Sequence, residues 1–319
     1  MATRRTGWKR GLLVLVTTVA AGPAAWAVSG QPVRPPVSSG SDQRAYTISD
    51  NVDLVLLDAS VKDSKGGYVT DLDKSDFRIY EDGHPRQITQ FARLDTPVTL
   101  GLVVDNSGSM GRKRPYVIMA GLAFAKESNP QDEFFVVNFN DYVGCGLSHD
   151  VLFTDNLQQL RSALYFGAPQ GRTALYDAIA YAIRHLELGH RDKRTLIVVS
   201  DGRDNVSKLT YPELLQIIKA SRATIYTVGL YEGDGDDANP SVLRKMAHIT
   251  GGKFFEPQRL EQVQPTFDEI SRDIRNRYTL GYAPDEVNDK HTLRSVKVTA
   301  QKDGHKLLVR TRTTYTVAH

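Results

Sequence analysis

Four apolar runs of six or seven residues alternate with helical stretches, and no other feature constrains the fold as much. The runs are Val98–Val104 (VTLGLVV), Glu133–Phe139 (EFFVVNF), Thr195–Ser200 (TLIVVS) and Thr224–Leu230 (TIYTVGL). Near-continuous apolar strands of this kind belong to parallel sheets covered on both faces. Between them the spacing predicts helices over Tyr116–Lys126, Asn156–Tyr165, Thr173–Leu188, Tyr211–Ala220, Pro240–Ile249 and Leu260–Arg275, with a short strand at Lys253–Glu256. Pro115 is tolerated in a first helical turn. Leu175, Ile179, Ala182, Ile183 and Leu186 form one apolar stripe. Repeated strand–helix units imply an α/β region with a mainly parallel sheet.

Residues 46–96 and 278–319 have period-two patterns instead, as in Asp76–Gly83 (DFRIYEDG) and Tyr278–Tyr282 (YTLGY). Leu293–Ala300 and Lys306–Thr313 flank the turn Lys302-Asp303-Gly304. Each flank is too small for its own core. The expectation is that both pack into one small β-sandwich, with the α/β region, 97–277, inserted between them. The alternative is separate additions to the edges of the α/β sheet.

Residues 1–27 read as a signal peptide. Arg4, Arg5, Lys9 and Arg10 precede the apolar core Gly11–Ala21, and Ala25-Trp26-Ala27 fits a small-x-small cleavage site. An uncleaved anchor is the alternative, but the apolar stretch is short and Gly22-Pro23 interrupts it. Arg4-Arg5 suits the general export route better than the twin-arginine route, because Gly7 and Trp8 stand where an apolar pair is wanted. Residues 28–45, rich in Pro, Ser and Gly, read as a linker. The expected destination is the periplasm or the extracellular space, with no membrane span in the mature chain. The formal charge of +3 comes from the leader: the rest carries 36 basic and 37 acidic residues, which leaves no basic field for nucleic acid. One cysteine, Cys145, excludes an internal disulfide and has no neighbouring His or Lys to activate it.

Three polar clusters fall where parallel strands end. Asp105, Ser107 and Ser109 follow the first strand in VDNSGSMG; Thr173 stands at the start of the third predicted helix; Asp201 follows Thr195–Ser200. Ligands of open α/β sheets bind outside the carboxyl ends of the strands, where strand order reverses. If Val98–Val104 neighbours Thr195–Ser200, Asp105 and Asp201 lie side by side. Two carboxylates and three hydroxyls offer only oxygen, which suits a hard cation such as Mg²⁺, with about six oxygens at roughly 2.0–2.1 Å. Neutral hydroxyls leave that ion electrophilic, able to take a carboxylate from a partner. The competing reading is capping serines and turn aspartates.

Asp105-Asn106-Ser107-Gly108-Ser109 resembles the Asp-x-Ser-x-Ser signature of von Willebrand factor A domains. Thr173 and Asp201 match the other two loops of that family's metal-ion-dependent adhesion site, and the resemblance spans about Pro97–Arg277. It implies a doubly wound, Rossmann-like α/β fold binding protein ligands through a divalent metal, Mg²⁺ or else Mn²⁺ or Ca²⁺. Asp76–Gly83 and Tyr278–Pro284 further resemble exported bacterial proteins of the acidobacterial type that carry such a domain.

The expectation is therefore an exported, metal-dependent adhesion or protein-binding module, not an enzyme, whose partner supplies an Asp or Glu. A metal-assisted hydrolase at the same site is the alternative, but it needs a general base, and no His or Glu is placed there by sequence. A third reading is an envelope assembly scaffold with a purely structural metal. Asp177 reads equally as a brace for the Thr173 loop or as a solvent-facing helix residue. Asp204 and Asn205 read as turn residues, Glu232–Asp237 as a solvated acidic loop, and His185 and His190 as solvent-facing.

Overall fold

The computed structural model describes residues 54–93, 95–231, 239–284 and 293–316. The signal-peptide and linker segments and the acidic loop Glu232–Asp237 lie outside the described residues. The described chain forms strands β1 (Val55–Lys62), β2 (Phe77–Glu81), β3 (His84–Arg86), β4 (Gln90–Arg93) and β5 (Val98–Asp105), then helix α1 (Arg114–Glu127). Next come β6 (Glu133–Phe139), β7 (Val143–Cys145), α2 (Leu157–Tyr165), α3 (Leu175–Leu186), β8 (Lys193–Ser200) and α4 (Tyr211–Ala220). They are followed by β9 (Thr224–Gly229), α5 (Pro240–Thr250), β10 (Phe254–Phe255) and α6 (Val263–Arg275). The last strands are β11 (Arg277–Tyr282), β12 (Leu293–Lys302), β13 (His305–Lys306), β14 (Leu308–Arg310) and β15 (Thr314–Thr316).

The central sheet has the order β10-β9-β8-β5-β6-β7, parallel except for β7. Every residue of β5 is buried. The chain runs outward from β5 to β6 and β7, then returns to β8 on the other side. Strand order therefore reverses between β5 and β8. The two helix layers follow from alternation along β5. Leu102 lies under α1, where a Cβ on Gly121 would stand 3.4 Å from its Cδ1. Gly101 points the other way, and a Cβ there would sit 2.4 Å from the Phe135 ring. That ring packs on His185 of α3 with centroids 4.4 Å apart. The result is the expected doubly wound α/β fold.

Local chemistry sets the helix ends. Asn156 caps α2 by accepting from the Gln158 and Gln159 amides, Thr210 and Glu213 form a capping box on α4, and left-handed Gly251 ends α5. Two expectations need correction. The third helix starts at Leu175 rather than Thr173, because the Thr173 carbonyl accepts the Asn205 amide at 3.0 Å and the Asp177 amide, its helical partner, donates to Ser207 Oγ at 3.1 Å; Thr173 thus stays in a loop. His185 does not face solvent. It continues the buried line Ala178–Ala182 of α3, is 9% exposed, and its Nε2 lies 2.8 Å from Leu152 O. His190 is exposed, as expected.

The flanking segments form two further sheets, β14-β1-β11-β4 and β13-β12-β2-β3, with β15 beside β12. They share one core: Leu57, Ala59, Tyr278 and Leu280 from the first meet Phe77, Ile79, Val296 and Val298 from the second. N- and C-terminal strands interleave, β1 on β11 and β2 on β12, as a sandwich of both flanks requires. Asp82–Gly83 and Asp303–Gly304 turn with positive φ, as two-residue hairpins demand.

An ionic cluster joins this sandwich to the α/β region. Asp273 of α6 is 1% exposed. Its Oδ1 accepts from Ser60 Oγ (2.9 Å), Tyr68 Oη (3.1 Å) and Arg310 Nη2 (2.5 Å). Its Oδ2 accepts from Arg277 Nη2 (3.0 Å) and from the Tyr226 hydroxyl. Burial alone would raise this carboxyl; Arg277 and Arg310 hold it well below the usual carboxylate range.

Candidate metal centre

β5 delivers Asp105, fully buried, as its last residue. Asp105 Oδ1 accepts the Ser107 amide at 2.8 Å, a local turn that folds the serines back over the strand end. Ser107 Oγ and Ser109 Oγ come within 3.1 Å of each other, and Ser109 Oγ donates to Asp201 Oδ2 at 2.8 Å. The first and third clusters are thus in direct contact, as the pairing of β5 with β8 requires.

Thr173, 3% exposed, enters through the backbone. Its amide donates to Asn205 Oδ1 at 2.9 Å, and the Asn205 amide returns a bond to Thr173 O at 3.0 Å. The Gly108 amide donates to Gly171 O at 3.2 Å and so ties the serine loop to the threonine loop. Gly171 has φ +76°, and a Cβ there would fall 1.8 Å from Asp141 Oδ2, so glycine is required. Asp141 in turn accepts from the Arg172 amide (2.9 Å) and side chain (3.0 Å).

Two supports, Ser200 and Asn106, were not singled out by sequence, whereas Asp177, Asp204 and Asn205 were. Ser200 Oγ donates to Asp105 Oδ2 at 2.7 Å. Asn106 Nδ2 donates to Asn138 Oδ1 (3.2 Å) and Phe166 O (3.3 Å). Asp177 accepts the Lys208 and Leu209 amides at 2.9 and 3.0 Å, which makes it a brace for the loop after β8. Asp204 Oδ1 accepts the Tyr176 amide, so Asp204 and Asn205 are turn residues that also hold the Thr173 segment.

The electrostatics of the centre are unbalanced. Burial pushes the Asp105 carboxyl up to about 6, and the Asp201 charge adds to this, against bonds from Ser200 and Ser107. Asp201 accepts the Arg203 amide at 3.2 Å, with Arg203 Nε 3.6 Å from its Oδ2. Among the described residues no Lys or Arg pairs with Asp105, and no cluster of three or more His, Cys, Asp or Glu forms a cage. The candidate donors, two carboxylates and three hydroxyls, are all oxygen, a chemistry that fits a hard divalent cation better than zinc-type nitrogen and sulfur coordination. Cys145 lies apart on β7, half-buried, with its thiol raised by burial.

Among solved structures, the chain is similar to a von Willebrand factor type A protein from Catenulispora acidiphila. The two share 15% identity with a TM-score of 0.51, over 76% of this chain and 73% of that one. It also resembles the vWF domain of the type V pilus tip protein Mfa5 from Porphyromonas gingivalis (16% identity, TM-score 0.47, 57% of this chain and 96% of that one). A third similarity is to proximal thread matrix protein 1 of the mussel byssus with a zinc-occupied MIDAS motif (14%, 0.46, 56% and 48%), so the chain spans about half of that protein. No curated protein sequence matches the chain. The family model for the von Willebrand factor type A domain matches residues 100–269, just over half of the sequence. The chain belongs to the von Willebrand factor type A domain family, a family of metal-dependent adhesion and protein-interaction modules.

Proposed function

We propose that this protein is an exported binding module that holds one divalent cation, Mg²⁺ or alternatively Mn²⁺ or Ca²⁺, on Asp105, Ser107, Ser109, Thr173 and Asp201. The cation supplies an electrophilic coordination position for a carboxylate of a protein partner. The observation that carries this reading is the pairing of opposites in one place. Three loops converge through Ser109–Asp201 and Gly108–Gly171, yet Asp105 is buried with no cationic side chain of its own. A buried carboxylate without a counter-charge is costly, and a bound cation removes that cost. Ser200 and the Ser107 amide orient Asp105, Arg203 stands beside Asp201, and Asn205 fixes the Thr173 backbone. The hydroxyls leave the ion's charge largely unspent, which suits recruitment of an Asp or Glu. The proposed setting is periplasmic or extracellular, and no described helix is long and apolar enough to cross a membrane.

The test is calorimetric titration of the purified protein with MgCl₂, MnCl₂ and CaCl₂, with melting temperature followed before and after EDTA. Capture from an envelope fraction is then compared in Mg²⁺ and in EDTA. The expected result is one saturable metal site and metal-dependent capture, both lost in Asp105→Ala. An Asp105→Ala protein that still binds metal and retains its partners would sink the reading. Turnover of generic esters or peptides, lost in the same variant, would instead establish the hydrolase.

A further inference from the structure

The opposite edge of the central sheet holds a second candidate site. A cleft of about 510 Å³ opens where the amino ends of β5 and β8 meet the sandwich strands β1, β4 and β11. Along β5 it is separated from Asp105 by the length of the strand, roughly 23 Å at ~3.3 Å per residue. Arg191, Lys193 and Arg222 line it.

No carboxylate among the described residues pairs directly with these cations. Lys193 is 6% exposed, and its ammonium, with three donors, makes one long bond to Arg277 O at 3.4 Å. Burial pushes the Lys193 ammonium down in pKa; the Asp58 and Asp95 charges oppose that shift, and the nearby Arg277 and Arg275 charges add to it. Arg191 Nε and Thr96 Oγ1, both on the cleft lining, are buried without a hydrogen-bond partner among the described residues. The cleft's own acids are Asp58, which accepts from Thr279 Oγ1 at 2.9 Å, and the exposed Asp192.

The loop that presents Arg191 is held in place. Glu133 accepts the His190 amide at 2.6 Å and lies 3.1 Å from His190 Nδ1. The Arg191 amide donates to Thr99 Oγ1 at 3.3 Å. A Cβ on Gly189 would fall 2.4 Å from Thr99 Cγ2, so the loop is packed directly on β5. Leu56, Phe91 and Pro97 give the same cleft an apolar wall. Basic and hydroxyl donors, among them the buried Lys193, lining one cleft beside apolar surface on a fixed scaffold are features of a small-molecule site.

We infer that this cleft binds a small organic oxyanion, a carboxylate or phosphate monoester with an apolar body. Arg191, Lys193, Arg222 and Thr96 take the charged head, and Leu56 and Phe91 take the body. Guanidinium groups match both head groups, so the chemistry is shared and experiment separates the two sources.

The probes are phenyl phosphate and phenylacetate, with 2-phenylethanol as the uncharged control, each titrated calorimetrically into the full chain while melting temperature is followed. One or both anions should bind saturably at one site and raise the melting temperature, with the alcohol silent. The head group that binds more tightly identifies the source. Arg191→Gln and Arg222→Gln, at a partly exposed and an exposed position, should each weaken binding about tenfold. Lys193→Met should abolish it. Asp201→Ala, at the opposite edge, should leave it unchanged even where metal binding is lost. Absence of saturable anion binding, equal binding of the alcohol, or unchanged affinity in the Arg191→Gln/Arg222→Gln double variant would overturn the assignment.

Discussion

Asp105 and Asp273 are both essentially solvent-free carboxylates in the α/β region, and their surroundings are opposite. Asp273 is met by Arg277, Arg310, Tyr226, Ser60 and Tyr68, and its acidity is strengthened. Asp105 is met by the Ser200 and Ser107 hydroxyls and the Ser107 amide but by no cation among the described residues, and burial weakens its acidity. A buried charge is tolerable only when compensated. The junction with the sandwich brings its own cations, whereas the described residues at the carboxyl edge of the sheet bring none into a pair with Asp105. The first arrangement fixes two parts of the molecule together; the second is the one that the proposed cation would compensate.

The largest expected effect separates the two directly. Asp273→Ala strands a fully buried Arg277 and should cost about 3–5 kcal/mol in urea unfolding; a loss below ~1 kcal/mol would break the contrast. Asp105→Asn should behave differently. Metal at a hundred times its Kd should stabilise the native protein by about 2.7 kcal/mol, and this increment should vanish in the variant while metal-free stability stays level or rises. Calorimetric melting with Mg²⁺ and with EDTA reads both numbers.

Acid sharpens the comparison. The Asp273 carboxyl is depressed in the folded state, so its contribution is complete above the unfolded value near ~3.9 and is lost as pH falls below it, by about 1.4 kcal/mol per unit. Urea midpoints from pH 6 to pH 2.5 should fall below pH 4, and Asp273→Asn should flatten that slope. Ser200→Ala, which removes a support of Asp105 rather than a ligand, should weaken metal affinity about tenfold in the same calorimetric titration. Arg172→Gln breaks an exposed pair with Asp141 and should change stability by less than about 1 kcal/mol; a larger loss would mean that the Gly171 turn depends on that pair.

The two carboxylates were also unequally legible. Asp105, Thr173 and Asp201 stand at the ends of apolar runs or beside a helix start, so local pattern picks them out. Ser200 looked like the end of a strand. Its role depends on register, since Val104 opposite Val199 sets Ser200 beside Asp105. Asp273 sits in an ordinary amphipathic helix, and its partners Ser60, Tyr226 and Arg310 are 213, 47 and 37 residues away. No local signal announces such a cluster. His185 misled for another reason: its place near a helix end suggested solvent, while its position on the Ala178–Ala182 line of α3 put it against Phe135 and Phe153. In the flanks, alternation identified strands but could not pair them.

That pairing bears on the order of assembly. Leu57 opposes Leu280, and Phe77 opposes Ala300. Ribosomal synthesis therefore completes every strand of the central sheet before β1 or β2 can meet its main partner. Contacts of such high sequence separation form slowly, because a long loop must close before they reward it. The α/β region, once folded, shortens that loop by bringing the end of β4 beside the start of β11, where Arg93 already opposes Tyr278. On this topology a folded inserted region would serve as the template on which the sandwich closes, and a variant slow to fold there would leave β1 as an unpaired, aggregation-prone edge.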